Sequence, residues 1–384
     1  MMSTKFTIVK VFCFFIISNG FAQLDNSSLF YNNNMDTTHE QELFIKIQNL
    51  NYMKNNEYSG PMADGYTMFG YQFNPQLGFQ ISHHLSIEGG IFLTKDFGNP
   101  NFVEVSPTYS LRYQKNDFKM VFGNLNNSVN HQLIEPLYNF ERVMTNRLEN
   151  GVQFMLKKKH YDFDIWIDWL NMIYKRTNQK EKFEVGMSAH AFKFKKNNWE
   201  FLLPLQATVM HRGGQLDTLK EGSNTYLIGS AGLILKYHTH SKLVETIYLD
   251  ARYIRRAHSY YYDSIVRKDH GDGLLANIGL KSNRGTEVML SYWWGNNFYN
   301  EFGGFLYSSY SSTVAYPGYF ERYRDLLIFR LTQKFQLAKN ITLTLRAEPY
   351  YDIRFKYFEY SYGFYISLDE MAWLKKKVTF KAND

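Results

Sequence analysis

The ionisable residues of this chain are patterned. In "LNNSVNHQLIEPLYNFERVMTNR" (125–147), Glu135, Glu141, Arg142 and Arg147 stand among Leu133, Ile134, Leu137, Tyr138 and Phe140. Further along, Glu104, Arg112, Asp162, Asp164, Asp168, Asp250, Arg252, Glu287, Arg330, Lys334, Arg346 and Glu348 fall in segments where polar and apolar residues alternate. Cations set against carboxylates across a narrow aqueous gap create a transverse field that sorts polar solutes by charge and dipole. Asp250 and Arg252, two apart on one strand face, read as a local pair. Ser188 and His190 also share a face. A serine and a histidine base, completed by a residue from a neighbouring strand, can attack an ester or amide carbonyl. No G-x-S-x-G elbow supports that chemistry. His83-His84 and His238-x-His240 have no third ligand nearby in sequence, so no metal is assigned. There is no phosphate loop or dinucleotide fingerprint, and no cofactor is implied.

The elements that must position these residues are strands. "YDFDIWIDWLNMIY" (161–174) places Asp162, Asp164 and Asp168 against Tyr161, Phe163, Ile165, Ile167 and Trp169. Such two-residue periodicity belongs to a strand with two different faces. It recurs in "FVEVSPTYSLRY" (102–113), at 340–349 and at 358–368. Tight turn signals such as "QKND" (114–117), "KKNN" (195–198) and "SNRG" (282–285) alternate with longer polar connections, among them 125–147, 259–271 and 297–322. The pattern gives about 16 strands between residues 41 and 368, mostly 10–15 residues long. That is too long for an ordinary sandwich, whose strands run to about 5–6 residues. It suits tilted membrane strands of about 9–11 residues. Charged side chains then face a wet interior, and apolar ones face lipid. No segment after the N-terminal stretch is long and apolar enough for a transmembrane helix.

Composition fits. Aromatic residues make up 18% of the 384 residues, with 30 Tyr and 32 Phe, yet mean hydropathy is −0.40. Residues 1–22 read as a signal peptide: Lys5 and Lys10, an apolar run from Val11 to Ile17, then small Gly20 and Ala22. The only cysteine, Cys13, lies in that signal, so the mature chain has no disulfide framework. Residues 23–40 read as a polar, disordered segment, 41–368 as the barrel and 369–384 as a basic tail. The net charge of +7 is diffuse, with no polybasic arm for nucleic acid.

The chain resembles a bacterial outer-membrane β-barrel of the general porin type. The resemblance covers roughly residues 41–368 and rests on the signal, the alternation, the turn asymmetry and the strand count. The "GFAQ" end of the signal is similar to those of exported Bacteroidota proteins. The resemblance implies an all-β, antiparallel up-and-down barrel in the Gram-negative outer membrane, with short periplasmic turns, longer outer loops and a possible homotrimer. In such porins the third long loop folds inward, which makes Glu135, Glu141, Arg142 and Arg147 a constriction facing wall charges such as Arg112, Arg330 and Arg346. The expected function is passive diffusion of small polar solutes, with no enzymatic step. A structural or assembly barrel of a secretion or surface-polysaccharide system is one alternative. A barrel-embedded hydrolase using Ser188 is another. A gated receptor with a plug domain is excluded by the short 23–40 segment and the strand count.

Overall fold

A computed structural model describes residues 24–377, apart from 32, 127, 215, 220 and 264. The signal at 1–22 and residues 378–384 of the tail lie outside the described residues.

The strands are β1 (Glu42–Glu57), β2 (Tyr66–Ser82), β3 (Leu85–Asp96), β4 (Glu104–Lys115), β5 (Phe118–Asn124), β6 (Asn150–Lys157), β7 (Asp162–Asn171), β8 (Glu181–Lys196), β9 (Trp199–Gly213), β10 (Ser223–His238), β11 (Val244–Tyr262), β12 (Ile265–Ser282), β13 (Thr286–Asn296), β14 (Tyr323–Ala338), β15 (Ile341–Asp352) and β16 (Tyr357–Lys377). Each pairs antiparallel with its sequence neighbours, and β16 returns to β1, closing a sixteen-stranded barrel. Closure leaves no unpaired sheet edge, which a bilayer core without water requires. The all-β, up-and-down architecture expected from the sequence is the one observed.

Parity decides which face is wet. In β11, Tyr248, Asp250, Arg252, Ile254 and Arg256 point inward, while Ile247, Leu249, Ala251 and Tyr253 are exposed. In β7, Trp166 and Asp168 are buried and Ile165 is exposed. Leu77, Ile91, Val105, Phe122, Leu203, Leu233, Ile278, Phe329 and Leu345 continue the exposed apolar belt round the ring. Hydrocarbon, not water, is the solvent for such a belt. The protein is an outer-membrane barrel. Short connections such as 116–117 and 197–198 lie at one end, with 125–149 and 297–322 at the other. The short-turn end is periplasmic.

Three departures from the sequence reading have physical causes. The connection expected at 259–271 shrinks to 263–264, because β11 and β12 keep pairing up to Tyr262↔Ile265. The tail expected from 369 is strand as far as Lys377, because β1 takes it as partner, from Gln48↔Asp369 to Glu42↔Lys377. The segment expected to be disordered at 23–40 enters the barrel at its periplasmic end. Leu24 packs with Leu202, Ile234, Tyr248 and Met289, and Leu29 is buried in the main core. Its few apolar residues find an interior that average polarity does not reveal.

The lumen is filled. Leu125, Val129, Leu133, Ile134, Leu137, Phe140, Val143 and Met144 of the β5–β6 connection pack against wall residues Trp166, Ile228, Ile254, Trp293 and Leu326. The outer 297–322 segment closes over them: Asn139 N donates to Phe302 O at 2.6 Å and Gly304 N to Glu135 O at 2.8 Å. Pro75 sits inside β2 without breaking it. The β2–β3 ladder lapses between Phe73↔Leu93 and Gln76↔Gly90, so the missing N–H costs no bond there. A Cβ at Gly90 would come within 2.2 Å of Pro75 O, so only glycine fits opposite.

Candidate functional site

A cavity of about 720 Å³ opens among the periplasmic ends of β5 to β9, lined by Ser188, His190, Asp162, Asp164 and Lys193 among others. Strand register builds it. Asp162 of β7 lies opposite His190 of β8, and Asp164 opposite Ser188. A bulge between His190 and Phe192 shifts the register against β9. The bulge lets both His190 and Lys193 face inward on a strand that would otherwise send them to opposite sides. Asp162 then collects three donors. The His190 ring Nδ1 lies 2.8 Å from Oδ1, the His190 backbone N–H donates to Oδ1 at 3.2 Å, and Lys193 Nζ donates to Oδ2 at 2.7 Å. With Nδ1 held by the carboxylate, Nε2 is the nitrogen left to meet a substrate. Ser188 Oγ accepts from Gln206 Nε2 at 3.4 Å, and the same nitrogen donates to Gln132 O at 2.7 Å. The sequence pairs Ser188 with His190 but leaves the third residue open. Asp162 emerges only with the register, and Lys193 only with the bulge.

A second histidine behaves differently. His131, in the β5–β6 connection, is fully enclosed between Asp164 Oδ2 at 2.6 Å on Nδ1 and Glu149 Oε2 at 3.0 Å on Nε2. Its ring stacks on Trp166, centroids 3.6 Å apart. Gly186 seats that indole, since a Cβ there would meet Trp166 at 2.0 Å. Burial disfavours the imidazolium, but Asp164 and Glu149 outweigh it and raise the pKa from 6.5 to about 10. A group held protonated between two carboxylates is a clamp, not a base. Its stabilisation is complete below 6.5 and is lost as pH rises through about 10. Hydrogen exchange of the 128–137 backbone is therefore expected to accelerate between neutral pH and pH 10, beyond the intrinsic rate, in the wild type. In His131→Ala that extra acceleration should be absent. Equal profiles would refute the clamp.

The residues expected to face one another across an aperture instead meet in pairs. Glu135 is held by Arg330 and, at 2.9 Å, by Arg346. Glu348 takes both arginines too, at 2.8 and 2.6 Å. Tyr307 OH donates to Glu135 at 2.6 Å, and the Arg346 guanidinium lies 3.8 Å from the Phe140 ring centroid. Glu141 accepts from Lys54 at 2.7 Å, from Asn56 at 2.7 Å, and from Tyr66. Arg142 lies 3.8 Å from Glu184 and 4.3 Å from the Phe302 ring centroid. Arg147 covers Tyr31 at 3.6 Å and donates to Leu29 O. Arg112 pairs with Glu88 at 3.3 Å, Lys334 with Asp25 at 3.0 Å, and Arg252 with Asp250 at 2.5 Å. Glu287 accepts from Tyr248 OH at 2.7 Å and from Asp25 N at 2.9 Å. Asp164 serves His131, and Asp168 caps Asn150 N at 2.8 Å. Glu104 accepts from Ser106 Oγ at 2.7 Å, near the outer end of β4. The sequence reading missed Lys54 and Lys46, the latter paired with Glu88 at 2.8 Å. Their even-numbered parity with Gln48 and Asn56 in β1 was the available signal. Among the described residues no cluster of three His, Cys, Asp or Glu is arranged to hold a metal.

Three solved structures are similar in fold. The loop L8 deletion mutant of OmpT from Vibrio cholerae is 11% identical, covers 85% of this chain and 99% of its own, and has a TM-score of 0.49. The anion-selective porin from Comamonas acidovorans is 7% identical, with 86% and 100% covered and a TM-score of 0.49. OprD from Pseudomonas aeruginosa is 9% identical, with 88% and 97% covered and a TM-score of 0.43. No curated protein matches the chain. The profile of a family described as Lipid A 3'-O-deacylase-type matches residues 35–377. Deacylation is a chemical reaction, so this match overturns the expectation that the chain performs none. With nearly its whole length matched, the chain belongs to the Lipid A 3'-O-deacylase-type family.

Proposed function

We propose that the chain is an outer-membrane hydrolase of O-acyl esters, with Ser188 as nucleophile, His190 as base and Asp162 as the residue that orients the base. One observation carries the reading: the in-register Asp162–His190 pair, 2.8 Å apart, lines the same cavity as Ser188. The family supplies the bond type, an ester between an acyl chain and a hydroxyl. His190 Nε2 takes the Ser188 hydroxyl proton as Oγ bonds to the carbonyl carbon. The tetrahedral oxyanion forms beside Gln206 Nε2, which serves as donor. Collapse breaks the ester C–O bond, and His190 returns the proton to the leaving alkoxide. Water, deprotonated by His190, then releases the fatty acid and restores Ser188. Asp162 keeps the ring in the tautomer that leaves Nε2 unprotonated, while Lys193 and a backbone N–H keep Asp162 in place.

The test is release of free fatty acid from acyl-ester micelles by the purified protein, with mass-spectrometric mapping of a fluorophosphonate label. Modification of Ser188 is expected. Activity with Ser188 unmodified would refute the assignment.

A second reading, passage of small polar solutes, is favoured by the width of a sixteen-stranded barrel. It requires the 125–149 segment to withdraw, with Glu135, Glu141, Arg142 and Arg147 as the moving constriction. A homotrimer, implied by the porin resemblance, is compatible with either reading.

A further inference from the structure

Resting on the Ser188–His190 assignment, we infer that the cavity takes an anionic, acyl-bearing phospholipid from the periplasmic leaflet. Its phosphate lies among Lys119, Lys159 and Lys195, and its chain lies along the apolar lining. Charge accounting within the cavity carries this. Each lining carboxylate already has a partner: Asp117 has Lys158 at 2.8 Å, Asp162 has Lys193 at 2.7 Å, Asp164 has the His131 imidazolium at 2.6 Å, and Glu200 has the His238 ring at 3.0 Å. Lys159 and Lys195 line the same cavity and make no ion pair among the described residues. Among the described residues, Lys119 makes no ion pair and donates to a neutral amide oxygen, that of Asn34, at 2.6 Å. Positive charge is therefore left over, and an anion is the ligand that removes it.

Depth selects a lipid anion. Lys119 is the second residue of β5, Lys159 lies in the β6–β7 turn, and Lys195 is the penultimate residue of β8. All three thus ring the short-turn mouth, at the level of periplasmic headgroups. Met155, Leu156, Phe163, Phe194 and Leu202 supply apolar lining beside them. Phe194 is also exposed on the outer apolar belt, so lining and belt are continuous. A volume of about 720 Å³ falls in the range, about 300–1,000 Å³, of pockets that enclose small ligands.

The experiment measures binding to a Ser188→Ala protein, so that turnover does not intervene. Probes are dihexanoyl phosphatidylglycerol, dihexanoyl phosphatidylcholine and inorganic phosphate. Phosphatidylglycerol is expected to bind more tightly than phosphatidylcholine, and K119Q/K159Q/K195Q should weaken it by about tenfold or more. Equal affinity for the two lipids, or an unchanged triple variant, would overturn the site. Displacement by an equal concentration of inorganic phosphate would overturn the acyl component. If the triple variant does not fold, salt decides instead: binding to the Ser188→Ala protein should weaken as ionic strength rises, and a flat response overturns the site. Selective binding combined with no fatty-acid release by the unsubstituted protein would sink the hydrolase reading and leave this site standing. Release with no preference for anionic lipid would do the reverse.

Discussion

Replacing Asp162 with asparagine is expected to lower kcat for ester hydrolysis by about 10⁴, and replacing Ser188 or His190 with alanine by up to about 10⁶. The asymmetry follows from what each group does. Asp162 does not meet the substrate. It fixes the tautomer of His190 through the 2.8 Å contact on Nδ1. An asparagine there can present its NH₂ to Nδ1, which moves the proton to Nε2 and disables the base without moving the ring. Ser188 and His190 act as one unit, so the double alanine variant should be no slower than the slower single variant. A merely structural role for Asp162 would give a different pattern. Asp162→Asn would then lower thermal stability and leave the kcat of the folded fraction intact. Kinetics on folded protein, alongside circular dichroism of each variant, separate the two. Additive losses across Ser188→Ala and His190→Ala would refute a shared proton transfer.

The sequence makes some links of this chain legible and hides others for identifiable reasons. The fold was legible because every strand must show lipid one face and the lumen another. Asp162, Asp164 and Asp168 could be placed inward, against Ile165, from parity alone. The extension of β11 and β12 to Tyr262 and Ile265 was hidden, because beyond the apolar belt no solvent difference enforces alternation. Burial of Leu24 and Leu29 was hidden because their partners lie across the barrel, in strands such as β9, β10 and β13. For the site, Ser188 and His190 are visible as an i, i+2 pair. Asp162, 28 residues from His190, becomes the orienting residue only through cross-strand register. The wall charges were readable as lumenal, but not as mutually paired. Parity gives the face of Arg330 and Arg346, and nothing local brings Glu135 between them.

That last arrangement yields the second large effect. Glu135→Ala is expected to destabilise the barrel by about 3–5 kcal/mol, because it leaves two buried guanidinium groups sharing one carboxylate. Arg330 and Arg346 are 3% and 4% exposed, so water cannot readily replace what Glu135 supplies. Glu348 already accepts from both. Losing Glu135 therefore removes a salt link from each arginine, along with the acceptor for Tyr307 OH. The lost bonds are also those that join the 125–149 segment to β14 and β15. Destabilisation and release of the segment should consequently appear together. Glu135→Ala in planar bilayers is expected to show stepwise conductance events absent from the wild type, at temperatures where the barrel stays folded. Glu135→Gln retains the side-chain oxygen but not the charge, and should fall between the two. If Glu135→Ala unfolds earlier on heating yet stays electrically silent, the apolar packing of Leu133, Ile134 and Leu137 suffices to hold the segment. The ion network would then contribute stability to the wall without gating a passage. If neither stability nor conductance changes, the buried network is not what fastens the segment inside the barrel.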